Sequence, residues 1–317
     1  MSKDILVIGL YGQSLLFQVA NFPVDGETVP GELLSVEPGG KGFNQAVCIA
    51  RQNIPVRFIT AVGDDEYGSH LLDDCNYEGI DGSYSIVLPS NSTAIASVMS
   101  DKNASSRVIV AKGACGKFIP DLLNLEAVDG CSILLLQLEL PVELALSAAR
   151  RAKKNNYFII LNPAPATDIP QELIDLVDIV TPNLNEAIRL SGCSLNDGYE
   201  LAAERMHQQG YKDVIITLGE DGAFVSLSNR KNYLIPAIEV MAVDSTGAGD
   251  NFNGALAASL FDGNSLEMSV NYAVFVSALS VTQLGVMASI PYKEEIDAFI
   301  DLHSNESFRK PLSKEMD

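Results

Sequence analysis

The amino-acid sequence predicts a doubly wound α/β fold, with a mostly parallel sheet flanked by helices and a small antiparallel β lid. Short apolar runs alternate along the chain with amphipathic stretches of helical period, which is the pattern of a parallel sheet with helical crossovers. Residues 11–35 and 84–112 break this alternation, with apolar residues at alternate positions and turn signals between them. The expected division is an α/β domain of residues 1–10, 36–83 and 113–317, with a lid inserted as the two segments 11–35 and 84–112.

The first apolar run, residues 4–9, ends in Gly9 and is typical of a central parallel strand. Further runs of this kind are expected to form the rest of the sheet: residues 56–62, 132–138, 157–161, 179–181 and 213–218. The amphipathic helices are expected at residues 44–52, 66–76, 142–155, 186–191 and 199–209. In the second lid segment, Asp101-Lys102-Asn103 has the composition of a turn between two strands.

Composition and charge narrow the class of protein and its partners. Hydrophobic residues make up 47% of the chain and charged residues 20%, the balance of a soluble globular protein, and no apolar run approaches the roughly 18 residues of a membrane span. Five cysteines lie scattered without metal-ligand spacing, which indicates reduced thiols in the cytoplasm. The formal charge of −20 repels nucleic-acid phosphates, so a nucleic acid is not an expected partner, and the lack of a long apolar run argues against a membrane partner.

The segment Asp244-Ser245-Thr246-Gly247-Ala248-Gly249-Asp250 is a turn of mostly small residues that opens into an apolar helix. Gly247 and Gly249 let backbone amides approach an anion closely, and the helix N-terminus adds roughly half a positive charge. Asp250 would lie in the first turn, where a carboxylate can remove the proton of a substrate hydroxyl during phosphoryl transfer. The structural alternative is that Asp250 only caps the helix, but a cap does not require the Gly-Ala-Gly approach.

A second glycine-rich segment, Gly39-Gly40-Lys41-Gly42-Phe43-Asn44-Gln45-Ala46, opens another helix. Glycine lacks a Cβ and lets the chain fold tightly against a ligand, and Asn44 can both donate and accept hydrogen bonds with sugar hydroxyls. Taken alone, the segment is explained equally well as an ordinary glycine-rich turn with a solvated Lys41. It is not a P-loop, and no dinucleotide fingerprint follows Gly9.

Together these two segments resemble the N-terminal and C-terminal signatures of the ribokinase-like sugar kinases, or PfkB family, with Ser245 in place of the usual Thr. Shorter motifs match in family order: Gly26-Glu27-Thr28, Gln137-Leu138-Glu139, Asn162-Pro163-Ala164-Pro165, Thr181-Pro182-Asn183-x-x-Glu186 and Thr217-Leu218-Gly219-x-x-Gly222. The resemblance covers nearly the whole chain and is nearest to ribokinases. It implies ATP-dependent phosphorylation of a hydroxyl group on a small sugar or sugar-like substrate, with Mg²⁺ and a structural K⁺ ion.

The resemblance also implies roles for individual residues. Asp250 is similar to the catalytic base, beside an anion hole formed by the backbone of Gly247, Ala248 and Gly249. The residues similar to nucleotide-side positions are Asn183, Glu186, Thr217, Gly219 and Gly222, of which Glu186 organises Mg²⁺ through water. The residues at sugar-side positions are Gly12, Ser14, Gly40, Lys41, Asn44 and Glu139. The residues that resemble ligands of the monovalent cation are Asp244, Thr246 and Ser289.

Two positions depart from the ribokinase pattern, in which Gly-Ser-x-Asn-x-Asp follows the first strand and the Asn and Asp hold sugar hydroxyls. The aligned residues here run from Gly9 to Ser14. Gly12 replaces the Asn and Ser14 replaces the Asp, so that a carboxylate able to accept two strong hydrogen bonds is lost. Smaller departures are Cys115, where the family often has Asn, and Val274, where it often has Asn or His beside adenine.

These departures predict a substrate other than free ribose. A site built to bond hydroxyls rejects analogues that lack them, and conversely a pocket without the bonding groups no longer favours ribose. The loss of a side chain at Gly12 is also expected to enlarge the pocket, with Tyr11, Gln13 and Phe43 lining it. A hexose derivative, a nucleoside or a deoxy sugar fits this expectation. The alternative is that Gln13 swings in and restores the contacts of an ordinary ribokinase.

Two other classes of protein compete with an active kinase. The altered Gly12 and Ser14 favour a non-catalytic sugar or nucleoside sensor on the same fold, whereas the intact Asp250 and anion hole argue against it. A nicotinamide dehydrogenase is disfavoured because its fingerprint is absent. A lid strand with an exposed edge can pair with the same strand of a second copy, so a homodimer is expected.

Overall fold

The computed structural model describes residues 4–101 and 106–303 of the chain. The strands are β1 (Asp4–Ile8), β2 (Gly12–Val19), β3 (Gly31–Gly39), β4 (Val56–Ile59), β5 (Ala61–Gly63), β6 (Ile86–Leu88), β7 (Ala94–Ser100), β8 (Ser106–Ala111), β9 (Cys131–Leu136), β10 (Phe158–Leu161), β11 (Ile179–Val180), β12 (Asp213–Thr217), β13 (Ala223–Ser226) and β14 (Asn232–Ile235). The α-helices are α1 (Lys41–Ala50), α2 (Glu66–Ser69), α3 (Leu71–Tyr77), α4 (Val142–Lys154), α5 (Gln171–Leu176), α6 (Leu184–Ser191), α7 (Gly198–Gln208), α8 (Ala248–Phe261), α9 (Leu266–Ser280), α10 (Val286–Ser289) and α11 (Lys293–Leu302).

The main sheet has eight strands in the order β14-β13-β12-β11-β10-β9-β1-β4. Neighbours from β4 to β12 pair in parallel, and β13 and β14 add an antiparallel edge. Along β1, Ile5 and Val7 enter one apolar layer while Leu6 and Ile8 enter the other, since side chains alternate between the faces of a strand. Helices cover both layers, which explains the continuous apolar run and confirms the predicted doubly wound fold.

The lid is a four-stranded sheet in the order β3-β2-β7-β8. As predicted, β2/β3 and β7/β8 are antiparallel pairs, but the central pair β2/β7 is parallel. The reason is that β2 and β7 are the outgoing strands of two hairpins that leave the α/β domain in the same direction. Strand β3 runs to Gly39, beyond the expected lid boundary at residue 35. The turn expected at Asp101-Lys102-Asn103 lies mostly outside the described residues.

Two predicted elements are divided in the structure. The run 56–62 forms β4 in the main sheet and β5 in a separate two-stranded sheet with β6, with a break at Thr60. The Thr60 hydroxyl accepts a hydrogen bond from the Tyr11 amide at 3.2 Å, which helps to direct the chain from β1 into the lid. The predicted helix 66–76 is likewise divided, into α2 and α3, at His70.

Helices α1 and α8 bring the two glycine-rich segments together. Each begins directly after its glycine-rich turn, and the two helices then pack closely along their length. A Cβ on Gly254 of α8 would lie 2.6 Å from Cys48 Cβ of α1, so only glycine permits this approach. Within residues 4–101 and 106–303, none of the helices combines the length and apolar character needed to cross a bilayer.

Candidate active site

The start of α8 has the backbone geometry of an anion site. Its N-cap, Gly247, has a φ of 80°, a left-handed conformation that glycine adopts without strain. A Cβ on Gly249 would meet no atom within 4 Å, so open space borders the backbone there. The first amides of a helix have no intrahelical acceptor and carry a partial positive charge. The backbone of this turn is therefore free to approach an anion, and the anion hole expected at residues 247–249 stays a prediction.

Asp250 is buried in the first turn of α8, at 5% exposure. Its Oδ2 accepts a hydrogen bond from Asn44 Nδ2 at 2.9 Å, and its Oδ1 accepts one from Gln45 Nε2 at 3.0 Å. These two amides fix the plane of the carboxylate. Each carboxylate oxygen has a second lone pair, so an additional hydroxyl donor can still be accepted. The structure thus brings Asn44 and Asp250, predicted from separate motifs, into direct contact.

A chain of buried amides holds Gln45 in place. Gln45 Oε1 accepts from Gln137 Nε2 at 2.6 Å, and Gln45 Nε2 also donates to Asn162 Oδ1 at 3.2 Å. Asn162 Nδ2 in turn donates to the Thr181 carbonyl at 3.2 Å. Gln137, Asn162 and Thr181 directly follow β9, β10 and β11, at the carboxyl edge of the sheet where ligand-binding groups of α/β proteins gather. All three residues lie in the shorter family motifs, but their place in the sequence predicted no role for them.

The amide chain continues to the turn before α8 through Asn253. The Thr181 hydroxyl donates to Asn253 Oδ1 at 2.6 Å, and Asn253 Nδ2 donates to the Gly249 carbonyl at 2.8 Å. Both members are buried, so leaving either donor unpaired would cost about 1–3 kcal/mol. The turn that carries Gly249 is therefore positioned by side-chain contacts as well as by its backbone.

Lys41 and Glu139 meet beside Asp250. The Lys41 amide donates to Glu139 Oε2 at 2.8 Å. The negative charge of Asp250 raises the pKa of the Lys41 ammonium, and burial raises the pKa of Glu139 to about 7. Gly40, just before α1, has a φ of 106°, and a Cβ there would lie 2.3 Å from the Leu10 carbonyl oxygen. These contacts place the predicted sugar-side residues Gly40, Lys41 and Glu139 together.

The β2 wall of the site lacks the room expected at Gly12. A Cβ on Gly12 would lie 2.2 Å from the Ala94 carbonyl oxygen of β7, so strand β7 fills the space of the missing side chain. The expectation of a larger pocket at this point is wrong. Ser14 is buried, and its hydroxyl lies over Gly39, where a Cβ would be only 2.4 Å from Ser14 Oγ.

Tyr11, Gln13 and Phe43 are part of the core rather than an enlarged pocket. Tyr11 and Phe43 are fully buried and meet edge to face, with ring centroids 5.1 Å apart. The Tyr11 hydroxyl donates to Asp74 Oδ2 at 2.5 Å. Gln13 Nε2 lies 3.5 Å from the same hydroxyl, on the face of the strand opposite Gly12 and Ser14. In this structure Gln13 does not replace the lost sugar contacts.

The residues expected on the nucleotide side lie at the ends of β11 and β12 or shortly after them. Asn183 caps α6 in a reciprocal pair: its Oδ1 accepts from the Glu186 amide and its own amide donates to Glu186 Oε2, both at 2.9 Å. Burial raises the pKa of Glu186. Thr217 ends β12, and Gly219 and Gly222 shape the next turn with φ of 61° and 96°. The capping pair gives Asn183 and Glu186 a structural role besides the one implied by the resemblance.

The residues expected at a monovalent-cation site converge on the segment that includes α10. Asp244 Oδ1 accepts from the Thr246 amide at 2.9 Å, and its Oδ2 accepts from the Gly285 amide at 3.2 Å. The Ser289 hydroxyl is buried and donates to the Val286 carbonyl at 2.9 Å.

A cavity of about 330 Å³ lies at the other ends of α1 and α8, where Gln52, Asp262 and Tyr272 are among its lining residues. None of the predicted site residues lines it. The groups that converge on Asp250 therefore lie outside this cavity.

A buried carboxylate at a glycine-rich helix start, near a lysine, on a doubly wound fold with a small second sheet, is the combination expected of a kinase of the ribokinase fold class. The family model described as pfkB family carbohydrate kinase matches residues 2–293. The chain belongs to the pfkB family of carbohydrate kinases. This match confirms the expectation of an ATP-dependent carbohydrate kinase and excludes the nicotinamide dehydrogenase.

Similar proteins agree with this assignment. The chain is 34% identical to a ribokinase of Haemophilus influenzae, over 95% of this chain and 99% of that protein. It is 32% identical to a deoxyribokinase of Salmonella typhi, with the same coverage of both. Among solved structures, the ribokinase of Thermotoga maritima has a TM-score of 0.86 and 36% identity, over 95% of this chain and all of that one. The ribokinase of Arabidopsis thaliana complexed with ribose and ATP also has a TM-score of 0.86, with 29% identity over 95% of this chain and 99% of that one.

Proposed function

We propose that this kinase transfers the γ-phosphoryl group of ATP to a hydroxyl group of a small sugar or sugar-like substrate, with Asp250 as general base. The observation that carries the proposal is the position of Asp250 in the first turn of α8, buried and fixed by Asn44 and Gln45. A carboxylate fixed in this way is ready to accept a hydroxyl proton next to the predicted anion hole. The Arabidopsis thaliana relative, which was solved with ribose and ATP, supports this pair of substrates.

In the proposed reaction the substrate hydroxyl donates its proton to a free lone pair of the Asp250 carboxylate. The hydroxyl oxygen bonds to the γ-phosphorus as the bond between that phosphorus and the β,γ-bridging oxygen breaks, so that ADP leaves. The backbone amides of residues 247–249 stabilise the negative charge on the transferring group. Asn44 Oδ1 is buried and has no hydrogen-bond partner among the described residues, so it can accept a bond from a substrate hydroxyl and orient the sugar.

Mg²⁺ would neutralise part of the phosphate charge, and Glu186 is the residue that would organise its water ligands. Glu186 supplies the hard oxygen donor that Mg²⁺ prefers, and its charge interacts with Lys41 and Asp250 across the site. We expect chelation of Mg²⁺ by EDTA to abolish turnover. Full activity in EDTA would contradict this role.

A monovalent cation such as K⁺ is proposed at Asp244, Thr246 and Ser289. The support is that Asp244 accepts a hydrogen bond from Gly285, in the same short segment that carries Ser289, and that Val286 of this segment borders Gly247. A cation there would stabilise the turn before Gly247 and raise kcat. Equal rates in potassium and in a bulky organic cation would argue against the site.

The preferred substrate is proposed to be a sugar with fewer hydroxyl groups to bond on the β2 side. Gly12 and Ser14 remove an amide and a carboxylate, and the space at Gly12 is filled by Ala94. The wall therefore loses bonding groups without gaining room, which favours a deoxy sugar over a bulkier hexose derivative or nucleoside. Both kinds of kinase are among the similar proteins, the Salmonella typhi deoxyribokinase at 32% identity and the Haemophilus influenzae ribokinase at 34%, so this proposal depends on the β2 residues alone.

The test is an assay of ADP release with MgATP across a panel of ribose, 2-deoxyribose, hexoses and nucleosides. We expect 2-deoxyribose or a related deoxy sugar to give the highest kcat/KM. A preference for ribose of tenfold or more would overturn the substrate argument. If no compound stimulates ADP release but calorimetry detects sugar binding, the non-catalytic sensor is the better description.

A cytoplasmic homodimer completes the proposal. All five cysteines are free thiols, as a reducing compartment favours. The edge strands of the lid expose apolar side chains, including Leu33 and Val36 on β3 and Ile109 on β8, which a second copy would cover. Analytical ultracentrifugation tests the dimer, because a monomer at micromolar concentration would contradict it.

A further inference from the structure

Glu37 connects the lid to the segment that supports the anion hole. It lies on β3 directly opposite Ser14 of β2. Its Oε1 accepts a hydrogen bond from the Val286 amide at 3.0 Å, and the Met287 amide also donates to this carboxylate. A lid residue thus holds the N-terminus of α10, which belongs to the α/β domain.

The segment that Glu37 holds lies against the first residue of the anion hole. A Cβ on Gly247 would lie 3.6 Å from Val286 Cγ1, so the valine side chain borders the turn before α8. The neighbouring Gly285 amide donates to Asp244 Oδ2 at 3.2 Å. One carboxylate from the lid and one from the turn before the anion hole therefore hold the same short segment from two sides.

Burial of the Glu37 carboxylate costs free energy unless the amides of the 285–287 segment bond to it, so this contact depends on the position of the lid. Glu37 is half-buried, and burial together with the nearby charge of Asp244 raises its pKa. Hydrogen bonds from backbone amides are what compensate a buried carboxylate. Because β3 pairs with β2 from Gly12↔Gly39 to Val19↔Gly31, a displacement of the sugar-side wall displaces Glu37 as well.

We propose that Glu37 is a positioning residue that couples the position of the lid over the sugar to the geometry of the anion hole, through Val286. This inference rests on the proposed sugar-kinase function. A bound sugar that fixes the position of the lid also fixes the 285–287 segment and the turn at Gly247. Sugar and nucleotide therefore strengthen each other's binding. By linkage the effect is the same in both directions.

The direct test measures the Kd of Mg·ADP by calorimetry with and without a saturating sugar, using whichever compound of the panel has the highest kcat/KM. No phosphoryl transfer occurs with ADP, so binding is measured alone. We expect the sugar to tighten Mg·ADP binding by about fivefold or more in the wild type. In Glu37→Ala this factor should fall to near one, whereas Glu37→Gln, which keeps an oxygen acceptor for Val286, should retain part of it.

The matched control is Glu32→Ala, which removes an exposed carboxylate from the same strand and should leave the coupling factor unchanged. A second variant, Val286→Ala, keeps the amide that Glu37 binds but removes the side chain beside Gly247, and should also lower the factor. Wild-type coupling in both Glu37→Ala and Val286→Ala would overturn the proposal.

Hydrogen exchange of the ligand-free protein tests the same connection without any substrate. Glu37→Ala should speed exchange in peptides that cover residues 283–290 and also in those that cover 244–250, while Glu32→Ala should change neither. Faster exchange confined to residues 283–290 would show a local cap and would overturn the proposal. Because this arm needs no sugar, it separates a failure of the coupling from a failure of the proposed sugar-kinase function.

Discussion

The start of α8 and the start of β2 both carry residues of the proposed active site, and they differ in how far they keep the family pattern. At α8, Gly247, Gly249 and Asp250 are all present, and a buried amide chain holds Asp250 and the Gly249 carbonyl in place. At β2, Gly12 and Ser14 stand where ribokinases carry an amide and a carboxylate, and strand β7 has closed the space.

This difference separates the residues proposed for phosphoryl transfer, at α8, from those proposed to recognise the sugar, at β2. The groups that would remove a proton and stabilise the transferring phosphoryl group are those that any hydroxyl substrate needs, whereas those at β2 read a particular hydroxyl pattern. If the β2 side of the site had only lost its sugar contacts, a void would be expected where the side chain of residue 12 is missing. Instead, the backbone of β7 packs directly against Gly12. The comparison therefore favours a kinase of altered specificity over a non-catalytic sensor.

The largest expected effect at the start of α8 comes from Asp250→Asn. Loss of the general base should lower kcat by about 10²–10⁴-fold, while Mg·ADP binding survives because the backbone of the anion hole is unchanged. Steady-state kinetics and calorimetry measure the two effects. Asp262→Asn, the same substitution at the exposed C-terminal end of α8, is the control. A variant that retains more than half of the wild-type kcat would remove Asp250 from the mechanism.

The sequence predicts the wall at α8 better than the wall at β2, for a physical reason. Gly247 and Asp250 act through local geometry, a tight turn followed by a helix start, which a short motif specifies. The fit of Gly12 against Ala94, and the contact of Glu37 with Val286, depend on where distant segments meet. The same limit explains the parallel β2/β7 pair, since residue alternation gives a strand but not the direction of its neighbour.

The buried amide chain shows an intermediate case. Gln45, Gln137 and Asn162 each lie beside a strand end or glycine-rich turn that the sequence analysis located. Their mutual hydrogen bonds join residues 92 and 117 positions apart, which neither periodicity nor a motif can supply. The positions of these polar residues were therefore predictable, but their partners were not.

Glu139 gives a second test, because it joins the sugar-side helix α1 to the end of β9. Burial raises its pKa from 4.5 to about 7, with Lys41, Asp250 and Lys112 as the charged groups that act on it. Between these two pH values the folded protein binds more protons at this site than the unfolded chain does. The contribution of Glu139 therefore lowers the free energy of unfolding as pH rises through this window, by up to about 3 kcal/mol.

Glu139→Gln cannot titrate and should remove this fall while still accepting a bond from the Lys41 amide. Urea unfolding between pH 5 and about 8 measures the difference, and the variant should gain stability over the wild type as pH rises. Glu143→Gln, an exposed neighbour in the first turn of α4, is the control. A difference between Glu139→Gln and wild type that is the same at every pH would contradict the assignment.

The smallest expected effect comes from restoring a carboxylate to the β2 wall by Ser14→Asp. The proposed loss of preference for ribose comes from the missing carboxylate. The variant should therefore raise the ratio of kcat/KM for ribose to kcat/KM for 2-deoxyribose by about tenfold or less. It should also lose stability, since the new carboxylate is buried and lies directly opposite Glu37 in an antiparallel pair. Ser35→Asp, further along β3 opposite Leu16, adds the same charge to the lid away from Gly12 and should leave the ratio unchanged. If Ser14→Asp folds but leaves the ratio at its wild-type value, the residues at the start of β2 do not determine the choice of sugar. The contacts of Asn44 and Glu139 would then be the next to test.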